Sequence, residues 1–376
     1  MPPSSSSLDI VFIGLAMTSS WGNGHATTYR SLLKGLGRRG HRVTFLERDC
    51  PWYANHRDQR SAPYCSIELY RDTADLQGRF DARVRHADVV VVGSYVDDGR
   101  TVCDWVLTHA RGVRAFYDID TPVTLRRIRE DRCEYLAADH IARFDLMLSF
   151  TGGPTLEVLR DGFGAQCAQA LYCSVDLDRY VPFSMEPSLA LAYMGTYSID
   201  RQDGVERLLN EPARALPHEK FMVVGAQYPS TLQWPSNVRR KDHLAPRHHA
   251  RFYRSQRFTL NITREDMRAA GYSPSVRLFE AAACAVPIIS DDWPGLAELF
   301  RPNEEILLAR VSDDVIGWLR MSDADRVRIG HRARARVFEE HSSKQRAQQF
   351  ERYIEAVCSR EPTGQPLAGR ALRAVG

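Results

Sequence analysis

Short apolar runs, each closed by small or polar residues, recur along most of the chain. Leu8-Asp9-Ile10-Val11-Phe12-Ile13-Gly14 predicts a buried strand by its apolar and β-branched content. Small and polar residues follow from Thr18 to His25. Tyr29, Leu32, Leu33 and Leu36 then fall at i, i+3, i+4 and i+7, one face of a helix that Gly40 stops. Val43–Leu46 predicts a second strand ending at Glu47, so strand, Gly loop, helix and strand open a Rossmann-like unit. Further strands are predicted at Val89–Val92, Val113–Tyr117 and Leu146–Phe150, with helices between them. The stretch 48–85, with Trp52, Tyr53 and Tyr64, is less regular. The pattern restarts at Leu189–Met194 and continues through Phe221–Val224, a short strand from Val238, Phe258–Ile262 and Val286–Ile289. Ala347, Phe350, Tyr353, Ile354 and Val357 mark a last amphipathic helix.

Alternating strands and helices predict parallel sheets covered on both faces, in an α/β fold. The expected organisation is a Rossmann-like unit over 8–182, a second over 188–340, a helix over 341–358, and mobile tails at 1–7 and 361–376. Ligands of such sheets bind beyond the carboxyl ends of the strands. In the first half those ends carry Gly22–His25, Gly93-Ser94, Asp118–Asp120 and Thr151-Gly152.

Composition narrows the class. The chain has 376 residues, enough for two cores, and is 44% hydrophobic and 26% charged. Fifty Lys and Arg against 47 Asp and Glu leave a net charge of +3, which argues against a nucleic-acid partner. The basic cluster Arg239-Arg240-Lys241 with Arg247, His248, His249 and Arg251 reads as a solvated face or the rim of an anion site. Eight scattered Cys with no C-x-x-C fit reduced thiols in a cytoplasm. No apolar run approaches the roughly 18 residues of a membrane span, and the first strand lacks the basic flank of a signal peptide. His243, His248 and His249 lack metal-ligand spacing, so no metal is expected.

Ser273 to Ser290 carries the most specific signal. Ser273-Pro274-Ser275 offers cap chemistry at a helix start, a natural place for an anion. Arg277 adds a cation just inside, Glu280 follows one turn later, and the run Ala281 to Ala285 is small enough to lie close on a sheet. Val286-Pro287-Ile288-Ile289 then returns to the sheet. Phosphate at the amides and ribose at the carboxylate would suit a nucleotide. Ser275-Val276-Arg277-Leu278-Phe279-Glu280-Ala281, with Pro287-Ile288-Ile289-Ser290 and Gly295, resembles the donor segment of GT-B glycosyltransferases. With Asp118–Pro122, Ser149–Gly153 and Asn261–Arg264 it resembles more narrowly the CgeB-like group, named for a spore maturation protein.

The resemblance implies two Rossmann-like domains facing a cleft, the C-terminal helix crossing back to the first, and sugar transfer from a nucleotide diphosphate, most simply UDP, to a hydroxyl. It implies ribose binding by Glu280, base reading by backbone near His243-Leu244, and, more weakly, retention of anomeric configuration. A diphosphate leaving group needs cations and N–H donors. Without a metal or a cofactor, Gly195, Arg201, Arg264, Ser275, Val276 and Arg277 are the candidates, with Gly22 and Gly24 before the first helix. His25 and Asp120 are the candidate bases for the acceptor. Relatives carry a second glutamate eight residues before the ribose acid, where this chain has Tyr272, so Tyr272 marks the sugar end. Ala285 stands where such segments carry Gly. Rival readings are a nucleotide-sugar epimerase, a non-catalytic nucleotide binder, and an NAD(P) oxidoreductase. Glu47 would suit the last, but Thr27 replaces the third Gly of its motif.

Overall fold

The computed structural model describes residues 7–21 and 24–360. The chain forms two units: one runs to Tyr172 and resumes at Lys344, the other is Cys173–Ser343.

Unit 1 is built on seven strands, β1 (Asp9–Gly14), β2 (Arg42–Arg48), β3 (Ser66–Tyr70), β4 (Val89–Gly93), β5 (Val113–Asp118), β6 (Leu146–Ser149) and β7 (Ala168–Ala170). Their order is β3-β2-β1-β4-β5-β6-β7, every pair parallel. Parallel strands need crossovers, which cover both faces, so the central strands are apolar throughout. All five residues of β4 are buried accordingly. The irregular stretch 48–85 holds β3 and the helix Thr73–His86. Strand β3 escapes the sequence pattern because it is an edge strand, only its last residue fully buried. The helix Ser343–Cys358 completes unit 1 as expected: Phe350 packs on Phe12 with ring centroids 6.1 Å apart. Glu351 accepts from Arg39 and from His41 Nε2 (2.7 Å), and Tyr353 donates to the Ala170 carbonyl (3.0 Å).

Unit 2 contains β8 (Leu189–Met194), β9 (Phe221–Val224), β10 (Val238–Lys241), β11 (Gln256–Asn261), β12 (Ile288–Ser290) and β13 (Leu307–Leu308). Their order is β10-β9-β8-β11-β12-β13, again all parallel. In each sheet the chain winds outward one way and then the other. The direction reverses between β1 and β4 in unit 1 and between β8 and β11 in unit 2. A crevice opens at such a switch point because the two flanking loops depart to opposite faces.

The helix Val276–Ala283 lies flat in unit 2 with every residue from Arg277 to Ala283 buried. Its end is a Schellman turn. Val286 N–H donates to the Ala281 carbonyl (3.1 Å) and Ala285 N–H to the Ala282 carbonyl (2.9 Å), with Ala285 left-handed at φ 55°. A Cβ is disfavoured in that conformation. We expect Ala285→Gly to raise stability by on the order of 1 kcal/mol in urea unfolding; an equal or lower midpoint would refute the strain.

Candidate functional site

The carboxyl ends of the unit 2 strands hold most of the expected donor residues. Gly195 follows β8, and a Cβ there would stand 3.1 Å from Arg277 Nη2 and against the Tyr193 hydroxyl. A Cβ at Gly225, after β9, would overlap the Gly195 carbonyl oxygen. Gly195 therefore lets the backbone pass closely over Arg277, and Gly225 lets the loop after β9 lie against Gly195. That guanidinium is buried, lies over the Tyr193 ring at 4.8 Å, and donates from Nε to the Met194 carbonyl (2.5 Å) and from Nη1 to Asn261 Oδ1 (2.5 Å). It makes no ion pair with Glu280 or Asp291 among the described residues, and Nη2 is left facing Gly195. Arg201 donates from Nη2 to the Thr196 carbonyl in the loop after β8. Arg264, after β11, stands 3.9 Å from Asp200 of that same loop. Three guanidiniums thus gather at the β8/β11 switch point.

Ser275 begins the helix Val276–Ala283 but does not cap it. Its hydroxyl donates to Asn261 Oδ1 (2.8 Å), so the amides of the first turn, Val276 included, have no side-chain cap. Asn261 is the hub. It accepts from Ser275 and Arg277 and donates to Ser290 Oγ (3.0 Å) and Thr263 Oγ1 (3.3 Å), tying β11, β12 and the helix start together. Tyr272 is also left-handed at φ 49°, and its ring lies on Gly295. The charge of Glu298, which accepts from its hydroxyl, raises its pKa.

Glu280 is buried, not a surface acid. Tyr180 donates to its Oε1 (2.6 Å) and Tyr253 to its Oε2 (2.8 Å). His249 Nε2 lies 2.9 Å from the Leu244 carbonyl, which can only accept. His249 Nδ1 lies 3.0 Å from the Tyr180 oxygen, which donates to Glu280. His249 Nδ1 also lies 3.7 Å from Glu280 Oε2. Burial pushes the Glu280 carboxyl up, but the His249 hydrogen bond and charge, with the two tyrosines, hold it below its ordinary value. The chain Leu244–His249–Tyr180–Glu280 joins the loop expected to read the base to the acid expected at the ribose. Arg240, in β10, lies over Tyr228 at 3.9 Å and Trp234 at 5.2 Å, both from the loop after β9.

In unit 1 the switch point between β1 and β4 is flanked by His25 and Tyr95. Gly24 sits at the start of the helix His25–Arg38 and gives it no side-chain cap; Gly22 lies outside the described residues. His25 Nε2 and Asp120 Oδ2 are 3.8 Å apart, and Tyr95 donates to Asp120 Oδ2 (2.9 Å) from a left-handed backbone at φ 63°. A non-glycine residue held there costs roughly 1–3 kcal/mol and is over-determined by its surroundings. Here Tyr95 is held by Tyr135 (ring centroids 4.7 Å), by Arg127 over its ring (5.6 Å) and by Asp120. Glu47 accepts from the Met17 and Thr18 amides (2.6 and 2.8 Å) and the Thr18 hydroxyl, so both its oxygens serve the β1 loop.

Asp118, at the end of β5, is fully buried. Burial pushes its carboxyl up to about 7, against hydrogen bonds from Thr124 (2.9 Å) and the Asp120 amide (3.2 Å). The unfolded chain releases that proton near 3.8, so between these values the folded state binds more protons. Stability therefore falls as pH rises through the window, by up to about 1.4 kcal/mol per pH unit. Asp118→Asn should flatten urea midpoints measured at pH 5, 6 and 7; an unchanged slope would exclude Asp118 as the proton binder.

Nothing in the sequence pattern marks Asn261 as the hub or Tyr180 and Tyr253 as partners of Glu280, and Arg240 stands out there only as part of a basic cluster. Their spacing in the chain carries no signal, since 100 and 27 positions separate the two tyrosines from Glu280.

Among the described residues no group of His, Cys, Asp and Glu is placed to hold a metal, and no helix is long and apolar enough to cross a membrane. Sucrose-phosphate synthase from Thermosynechococcus elongatus shares the fold at TM-score 0.67 and 14% identity, over 93% of this chain and 99% of that one. Anabaena HepE, solved with UDP-glucose, gives 0.68 at 12% identity, over 93% and 100%. An alpha-glucosyltransferase, solved with UDP-glucose and DNA containing an abasic site, gives 0.69 at 12% identity, over 93% and 100%. At these identities the likeness is one of fold. No curated protein matches the sequence. The chain has the GT-B fold of two Rossmann-like units, and its residues 201–352 match the family described as Glycosyl transferase-like.

Proposed function

We propose that this protein is a glycosyltransferase of the CgeB-like group that moves a hexosyl unit from a UDP-sugar to a hydroxyl without a metal ion. The carrying observation is the convergence of Arg201, Arg264 and Arg277 with the uncapped Val276–Ala283 helix start at the unit 2 switch point. Fixed cations and amide dipoles at that place stabilise the charge that grows on a departing diphosphate. Glu280 and the Leu244 loop receive ribose and base, and Arg240 with Tyr228 and Trp234 borders the base. UDP is favoured because HepE and the alpha-glucosyltransferase were solved with UDP-glucose.

Unit 1 supplies the acceptor side. His25 Nε2 and Asp120 Oδ2 stand 3.8 Å apart, so a hydroxyl placed beside the pair is within reach of both and can lose its proton there. A base on the acceptor suits in-line attack with inversion. The resemblance implies retention, in which the leaving phosphate itself takes the proton. The configuration of the product's anomeric carbon, read by NMR, separates the two.

A thermal-shift titration with UDP, GDP and NAD tests the reading of unit 2. Stabilisation by UDP is the expected result, and stabilisation by NAD alone would overturn it. The oxidoreductase reading is disfavoured because Thr27 stands where its motif needs a third Gly. Formation of a new nucleotide sugar from UDP-sugar alone would instead point to an epimerase.

A further inference from the structure

Unit 1 carries an aromatic cluster on its surface that core packing does not explain. Trp52 lies in the short helix Pro51–Ala54 after β2 and is 55% exposed, though apolar rings of that size are seldom left in water without a use. Trp21, from the loop after β1, meets it edge-on with centroids 4.7 Å apart and an interplanar angle of 71°. His56 stacks flat on Trp21 at 4.6 Å and 10°. Whichever indole presents its edge to the other, one face of Trp52 is left uncovered by these rings.

The two loops that bring the tryptophans together are tightly joined. Ser19 donates to the His56 carbonyl (2.9 Å), and the Asp58 and Gln59 amides donate to the Thr18 carbonyl (3.0 and 3.1 Å). Ser20 Oγ donates to Asp58 (2.7 Å). Beneath them two buried charges hold the assembly. Arg30 bonds the Met17 carbonyl (2.8 Å) and Asp58 (2.6 Å), and Glu47 bonds Met17 and Thr18. Burying an ion costs several kcal/mol unless every bond is made, so this network serves a specific loop geometry. Pre-organisation of that kind lowers the entropy lost on binding a ligand.

The chain on either side of Trp52 carries an ion pair. Arg57 donates to Asp49 (2.5 Å), three residues before Trp52 in the chain, and the Asp49 side chain stays 45% exposed. An uncovered aromatic face with a carboxylate and a guanidinium close by in the chain matches one chemistry closely. A pyranose has a face of C–H groups that stacks on an indole and a girdle of hydroxyls that bonds charged groups at its edge. A flat aromatic ligand would use the face and leave those charges unused. Trp21 also lies four residues before His25, on the strand-end side of the sheet that carries the candidate base.

We infer that Trp52, with Trp21 beside it, is a sugar-ring platform, and that the acceptor of this protein is a carbohydrate. The inference rests on the transferase reading for its role in catalysis, but binding tests it separately. The full chain is titrated with maltotriose, cellotriose and chitotriose, and with 4-nitrophenol as the flat aromatic control, by saturation-transfer NMR. UDP-induced thermal shift is recorded in parallel as the separate check on unit 2. The expected result is saturation transfer to ring protons of at least one trisaccharide, lost in W52A and largely kept in W52F, in variants whose melting temperature matches the wild type. Transfer to none of the trisaccharides, transfer to 4-nitrophenol alone, or an unchanged signal in W52A would overturn it. A positive trisaccharide result with no response to UDP would keep the platform and remove the UDP reading instead.

Discussion

Arg277→Ala is expected to weaken UDP binding by about 10- to 100-fold in isothermal titration, the range of one or two charge-assisted hydrogen bonds lost. Three of its contacts explain the size. Nε and Nη1 are fixed by the Met194 carbonyl and Asn261, and the ring of Tyr193 supports the guanidinium plane, so Nη2 is held in place before any ligand arrives. A donor already in position loses little freedom on binding. The same contacts mean that the alanine variant loses stability too, because the Asn261 hub gives up a partner. Titration well below its melting temperature separates the two effects. Arg277→Lys supplies the second comparison: it keeps the charge but not the fork that grips Met194 and Asn261 at once, so it should recover only part of the affinity. Full affinity in the alanine variant would remove Arg277 from the site and leave Arg201 and Arg264 as the anion contacts.

His25→Ala is expected to lower kcat by about 100- to 10,000-fold, the range of a lost general base, with little change in the KM for the donor. Asp120→Asn should act in the same direction. The double variant should be scarcely worse than the weaker single one, because two groups facing one proton act as a unit. Tyr95→Phe offers a graded control, since it removes only the 2.9 Å hydrogen bond to Asp120 and keeps the ring on Tyr135. If His25→Ala turns over as the wild type does and the product retains its anomeric configuration, the proton goes to the leaving phosphate, and the His25–Asp120 pair has another role.

Much of the architecture is legible in the chain because local pattern and final environment agree. Strand β4 is a run of valines that ends up buried on both faces. The helix His25–Arg38 buries Tyr29, Leu32, Leu33 and Leu36, the four positions its period marks. The last helix turns Phe350 and Ile354 inward. Agreement fails at edges. Strand β3 is half-exposed and alternates where a parallel sheet leads one to expect an unbroken apolar run. The candidate donor residues are read from one stretch and a resemblance, and the convergence of Arg277 with Gly195, Arg201 and Arg264 in unit 2 depends on a switch point that only the strand order reveals.

What the sequence by itself determined is the succession of strands and helices, the small-residue helix around Ala281–Ala283, and the residue types available for phosphate, ribose and proton transfer. These follow from short-range periodicity and from side-chain chemistry, which need no knowledge of distant neighbours. What only the tertiary structure decided is how those groups are engaged. Ser275 turns to Asn261 and leaves the helix start uncapped. Glu280 is clasped by two tyrosines far from it in the chain. Trp21 and Trp52 meet on the surface through two loops tied by Glu47 and Arg30. A hydrogen bond or a ring contact depends on positions to within a few tenths of an ångström, and across such sequence separations those positions are set by the packing of whole sheets and not by any local pattern.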